Sequence, residues 1–275
     1  MQIRKLLILI LCLCLFSGCG AASEQSTAPA PTPVPVPTVS PEAENALQET
    51  PGATEPPVST ENAPCDDDPS NESLRLDDSA LTMQANTLFI GDSITHHLYR
   101  KRLLPMGYVG GASFMACSNA GIPHFFANWA RLKNADWNGH GCSYDKEFEN
   151  LSYAAAIEQS AGRWERIFFM MGSNGSGTLT YESYKEVIDY IYANNPHAVI
   201  YLQTIPNCST GTVRTEAVSD IVTATVTAYT AEGIDSVRLL DTNSIWTDEC
   251  MAPDDVHLSD LGLQRWHEYI CTVPQ

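Results

Sequence analysis

The chain has 275 residues, with 33 acidic against 15 basic side chains and a formal net charge of −18. A chain this acidic offers no footprint for a phosphate backbone, which excludes nucleic acid as a partner. Its length suits one domain with flanking segments, and no stretch is apolar for long enough to span a bilayer.

Arg4 and Lys5 form a charged start, and Leu6 to Phe16 is an apolar run of 11 residues. Those are the proportions of an export signal. The next residues, Ser17-Gly18-Cys19, complete a block that resembles the lipobox of bacterial lipoproteins, with Phe16 where Leu is usual. The resemblance implies lipidation at Cys19, a membrane reached through that anchor, and a place at the cell surface or in the periplasm. Cleavage near Ala21 or Ala22 instead gives a secreted protein. Residues 20–80 read as a disordered tether. Eleven of the 17 prolines fall between Pro29 and Pro69, and 12 acids stand against the single base Arg75. Alternating proline favours an extended polyproline II path, and so few large apolar residues cannot offset the entropy of ordering. The expected organisation is a signal at 1–19, a tether at 20–80 and one domain at 81–275.

Within the domain, short apolar runs alternate with helical patterns. Strands are expected at Thr87–Ile90, Ala112–Cys117, Arg166–Met171, Ala198–Thr204 and Val237–Leu240. Tyr184, Val187, Ile188 and Ile191 recur at helical spacing, and Asn194-Asn195-Pro196 closes that helix. Ala217–Ala231 and Leu261–Ile270 supply two more helices. Continuously apolar strands alternating with helices mean an α/β fold, with a parallel sheet of about five strands covered on both faces. Residues 133–165 fit this rhythm poorly, and Trp137 to Cys142 reads as loop.

Six cysteines lie beyond the signal: Cys65, Cys117, Cys142, Cys208, Cys250 and Cys271. An even number in an exported chain permits disulfides. Cys208 with Cys250 is the favoured pair because both follow strand ends, and free buried thiols are the alternative. No C-x-x-C pair is present to suggest zinc.

The first strand stops at Gly91-Asp92-Ser93, and a helical segment follows. That is how a chain lifts a serine hydroxyl out of a sheet edge beside a helix N-terminus. A serine hydroxyl needs a base, and the base needs an orienter. Of seven histidines, His257 has an acid three residues before it, Asp254, on one turn. Oxyanion donors are sought after the second and third strands, in Ser118-Asn119-Ala120-Gly121 and in Gly172-Ser173-Asn174-Gly175. His96 and His97 are adjacent, so on a helix they point about 100° apart and make a poor metal pair. Surface positions are the default for His124 and His140, with lining the pocket as the alternative. Core packing is the default for most of Trp129, Trp137, Trp164 and Trp246, and a sugar-stacking platform among them is the alternative. Arg100-Lys101-Arg102 reads as a solvated helix face.

The ordered set, Gly-Asp-Ser-Ile, then Gly, then Gly-x-Asn, then Asp-x-x-His, resembles the SGNH hydrolase superfamily, also called GDSL esterases and lipases. The family's third block usually reads Gly-x-Asn-Asp, and here Gly175 takes the last place. The resemblance covers about residues 85–272 and implies a flavodoxin-like three-layer α/β/α sandwich. It implies Ser93 as nucleophile, His257 as base and Asp254 as its orienter. The oxyanion hole would be Ser93 and Gly121 through their backbone N–H groups and Asn174 through its side chain. No cofactor or metal is implied. An exported enzyme of this kind would act on a glycan or small-molecule ester, most simply as a carbohydrate O-acetyl esterase. A lipase or thioesterase, or a non-catalytic glycan- or solute-binding lipoprotein on the same fold, are the rival readings.

Overall fold

A computed structural model describes residues 77–133, 141–207 and 213–274. The signal, Cys19, the tether to residue 76, Cys65, Trp137, His140 and Cys208 lie outside the described residues. Asp77 caps a short helix, α1 (Asp78–Leu81).

Among the described residues, six strands form one sheet: β1 (Thr87–Gly91), β2 (Ser113–Cys117), β3 (Cys142–Tyr144), β4 (Arg166–Met170), β5 (Val199–Gln203) and β6 (Val237–Leu240). Their order is β3-β2-β1-β4-β5-β6. Five run parallel, at the places their apolar runs predict. The sixth is an antiparallel edge strand added to the expected parallel five. β3 pairs antiparallel with β2 at the edge, and it arises inside the 133–165 segment that fits the strand–helix rhythm poorly. Cys-Ser-Tyr has no apolar run of its own. What holds it is the rung itself, because Cys117 and Cys142 are register partners and are joined by a disulfide.

Helices connect the strands, and parallel crossovers of this kind are generally right-handed. From β1 the chain moves toward one edge through α2 (Ser93–His97), which continues as a π-helical stretch at Leu98–Leu103 and a last turn at Leu104–Met106. It then returns the other way through α3 (Tyr153–Gln159), α4 (Tyr181–Asn194) and α5 (Thr215–Ala231), which lie side by side on the opposite face. The last helix, α6 (Asp260–Thr272), packs against the α2 continuation and α1. This is a three-layer α/β/α sandwich. α4 shows why its sequence is a helix: Thr180 caps it, and Tyr184, Val187, Ile188 and Ile191 form its buried stripe.

One row of rings crosses the sheet. Phe114, Phe89, Phe168 and Tyr201 are register partners on β2, β1, β4 and β5, and their ring centroids stack 4.8 to 5.0 Å apart. Such cross-strand pairs fix register, because a slip of one residue would turn every ring to the other face. The expected Cys208–Cys250 bridge is not made: Cys250 carries a free, buried thiol. Arg102 also departs from the expected solvated face, since its Nε donates to the buried His267 ring at 3.3 Å.

Candidate active site

The order of strands reverses direction at β1, and sites in such sheets gather where it does, beyond the C-terminal strand ends. β1 ends at Gly91. A Cβ there would sit 2.0 Å from Thr95 Oγ1 and 2.9 Å from the Met170 carbonyl, so only glycine allows the following helix to close onto the strand. Asp92 then caps α2 by accepting the Ile94 N–H at 3.0 Å. Ser93 takes the first helical position, where the backbone N–H has no acceptor within the helix.

Asp254 and His257 arrive on a pinned turn just before α6. Met251 and Leu258 pair as an antiparallel bridge, and the Ala252 N–H donates to the His257 carbonyl at 2.8 Å. Asp255 takes a left-handed conformation (φ 54°) to close the turn. Asp254 Oδ1 accepts the N–H groups of Val256 and His257 at 3.1 and 2.9 Å. Its Oδ2 lies 2.7 Å from His257 Nδ1, and His257 Nε2 lies 2.8 Å from Ser93 Oγ. Burial opposes ionisation of Asp254, but the His257 N–H and ring and the Val256 N–H outweigh it and hold the carboxyl down to about 2. An ionised carboxylate only accepts, so Nδ1 carries the ring proton. The Nε2 lone pair is left to accept the Ser93 O–H.

Beside this relay stands His97, one helical turn after Ser93. Its ring centroid is 4.4 Å from that of His257. Burial, then the neighbouring His257, lowers its pKa to about 4, so it is a neutral wall at neutral pH. His96 faces elsewhere, with Nδ1 2.8 Å from Ser143 Oγ on β3. The two adjacent histidines therefore serve different neighbours.

The two glycine-containing loops meet opposite the serine turn. Asn174 donates its Nδ2 to the Ala120 carbonyl at 2.9 Å, which uses one of its two amide hydrogens. A Cβ on Gly121 would lie 2.5 Å from the Asn174 carbonyl oxygen, so these loops touch through backbone. The Gly121 N–H is directed at His124 Nδ1, at 2.9 Å. His124 thus belongs to the loop that carries Gly121. Trp129 is 59% exposed, so it is not among the tryptophans that follow the core default, and its ring meets His124 edge-on at 5.3 Å. Trp164 is buried.

Two residues that the motif reading left without a role tie the blocks together. Asp92 is fully buried, and the Ser173 hydroxyl donates to its Oδ2. The nucleophile turn is thereby bonded to the loop that holds Asn174. Burial pushes the Asp92 carboxyl up to about 6, against the pull of the hydrogen bonds from Ser173 and Ile94. Both residues sit inside quoted motifs. The signal that would have found them is the N-cap preference for Asp, which forces its side chain back across the turn. A cavity of about 150 Å³ lies at the other end of the sheet, against Thr87, Arg166 and Cys271.

No protein-family model matches the chain, and no curated protein does. Solved structures do match. One is a family two carbohydrate esterase from Clostridium thermocellum in complex with cellohexaose, at 16% identity and a TM-score of 0.48, over 69% of this chain and 63% of that one. The match therefore spans less than two thirds of that protein. A family 3 carbohydrate esterase from the same organism matches at 15% identity and a TM-score of 0.44, over 68% of this chain and 94% of that one. A lipase/acylhydrolase from Enterococcus faecalis matches at 15% identity and a TM-score of 0.44, over 67% and 93%. Likeness this low transfers no chemistry to the chain.

Proposed function

We propose that the chain is a carboxylic-ester hydrolase of the SGNH/GDSL type, with Ser93 as its nucleophile. The observation that carries this reading is the unbroken relay from Ser93 Oγ to His257 Nε2 at 2.8 Å and from His257 Nδ1 to Asp254 at 2.7 Å. In the reaction, Ser93 Oγ attacks the acyl carbonyl while His257 takes its proton. Asp254 keeps the imidazole in the right tautomer and stabilises it once charged. The tetrahedral oxyanion is met by the Ser93 N–H, the remaining Asn174 amide hydrogen and the Gly121 N–H, which then leaves or shares its bond to His124. His257 returns the proton to the leaving alcohol. A water repeats the sequence on the acyl-enzyme and frees the acid.

The substrate we propose is an O-acetylated glycan, reached outside the membrane from a lipid anchor at Cys19 and the tether of residues 20–80. The N-terminal sequence supports the location, and polysaccharide is the ester-bearing polymer found there. The exposed indole of Trp129 beside the Gly121 loop supports it too, since a flat apolar face suits the C–H face of a sugar ring.

The test is hydrolysis of p-nitrophenyl acetate by wild type and Ser93→Ala. Loss of about 10⁴-fold or more in kcat is expected, as for other serine nucleophiles. Equal rates would end the ester-hydrolase reading. A panel of acetylated and deacetylated oligosaccharides, with acetate release as the readout, tests the glycan.

A further inference from the structure

The first turn of α3 grips the strand ends on both sides of the site. Tyr153 is 1% exposed. Its hydroxyl donates to the Gly91 carbonyl at 3.0 Å and accepts the Cys117 N–H at 2.9 Å. Gly91 and Ala116 are the last register partners of β1 and β2, so these two groups mark the place where the strands part. Gly91 leads into Asp92 and Ser93. Cys117 leads into Ser118-Asn119-Ala120-Gly121. One hydroxyl therefore joins the strand that delivers the serine to the strand that delivers the glycine loop. The next residue holds the far side of that loop: the Ala154 N–H donates to the Phe125 carbonyl at 3.1 Å. The rings of Tyr153 and Phe125 stack 5.9 Å apart. A phenol suits this place because it reaches from a helix into the plane of the sheet, and its hydroxyl both donates and accepts.

We infer that Tyr153 is a positioning residue that sets the spacing between Ser93 and the Gly121 loop, so that the oxyanion donors are in place before substrate arrives. The inference rests on the ester-hydrolase reading. It gives the segment between β2 and β4 a task, which is to carry this phenol under the site. Spacing matters because donors act only within about 2.7–3.1 Å of the developing oxyanion. A displacement of about 1 Å is enough to lose about a hundredfold in rate. The Ser93–His257–Asp254 relay is built from other residues and keeps its own supports.

The test is Tyr153→Phe, which retains the ring and removes both hydroxyl bonds. With p-nitrophenyl acetate, kcat per folded molecule is expected to fall about ten- to a hundredfold, with KM within about twofold. The inhibition constant of phenylboronic acid, which forms a tetrahedral adduct on the serine, rises by the same factor. The pH at which activity falls on the acid side stays where it was, since the base is untouched. Folded fraction is read by circular dichroism. A variant that only melts earlier, with kcat and boronate inhibition unchanged, overturns the inference, and so does a shifted acid limb. Phe125→Leu, which removes the ring stacked on Tyr153, gives a smaller loss of the same kind and keeps the question decidable if Tyr153→Phe does not fold. Should wild type show no Ser93-dependent hydrolysis, the ester-hydrolase reading and the inference fall together. If hydrolysis depends on Ser93 but not on Tyr153, the inference alone falls.

Discussion

Asp254→Asn keeps the shape of the relay and changes one acceptor into a donor. In the wild type, Oδ1 holds the Val256 and His257 N–H groups at 3.1 and 2.9 Å, and Oδ2 faces His257 Nδ1 at 2.7 Å. The amide oxygen keeps the two backbone bonds, so its NH₂ must face Nδ1. Two donors cannot share that contact. The ring proton moves to Nε2, and the nitrogen 2.8 Å from Ser93 Oγ loses the lone pair that accepts the serine proton. At a buried triad aspartate this exchange lowers kcat about 10⁴-fold, near 5 kcal/mol. The Asp254 side chain is 54% exposed, so water competes for Nδ1 and part of the population keeps the useful tautomer. The expected loss is therefore smaller, about 10²- to 10³-fold, or about 3–4 kcal/mol. The assay is kcat on p-nitrophenyl acetate, with the melting temperature as control; because the backbone bonds survive, stability should change little. Activity within about threefold of wild type would refute the idea that Asp254 sets the tautomer.

Three further outcomes follow from the same geometry. The Asp92 carboxyl is raised by burial from 3.8 to about 6 in the fold, so between those values the folded chain binds more protons than the unfolded one. Stability then falls as pH rises through that window, by about 3 kcal/mol in all, and Asp92→Asn should flatten the slope in urea melts; equal slopes would refute the assignment. Gly121→Ala places a methyl 2.5 Å from the Asn174 carbonyl oxygen, so the two loops must part. Its kcat should drop about tenfold or more at nearly constant KM, and wild-type kinetics would remove Gly121 from the oxyanion hole. The Cys117–Cys142 bridge spans 25 residues, so replacing both cysteines by serine should lower unfolding stability by about 3 kcal/mol in guanidinium titrations; no change would show that the cross-link constrains nothing.

The four inner parallel strands, β2, β1, β4 and β5, were legible because burial on both faces leaves continuous apolar runs such as Leu88-Phe89-Ile90 and Ile167-Phe168-Phe169. β3 was not, because three residues held by one disulfide rung carry no periodicity. Ser93, Asp254 and His257 stood out because their spacing is chemical: an N-terminal helix position, and an acid one turn before an imidazole. The structure brings all three within hydrogen-bond distance. Tyr153 left no such trace. Its partners are backbone groups on two distant strands, and only the assembled sheet puts Gly91 and Cys117 side by side. Trp129 shows why core packing is a default only for most of the tryptophans, since hydrophobicity alone argues for burial and the fold leaves this ring outside.

The most direct measurement is to react the chain with diisopropyl fluorophosphate and map the modified peptide by mass spectrometry. If Ser93 is the activated nucleophile, one phosphoryl group attaches to the peptide containing Ser93, hydrolysis of p-nitrophenyl acetate stops in step with labelling, and His257→Ala slows both. A label on another residue, or no label on a protein that still hydrolyses the ester, would contradict it.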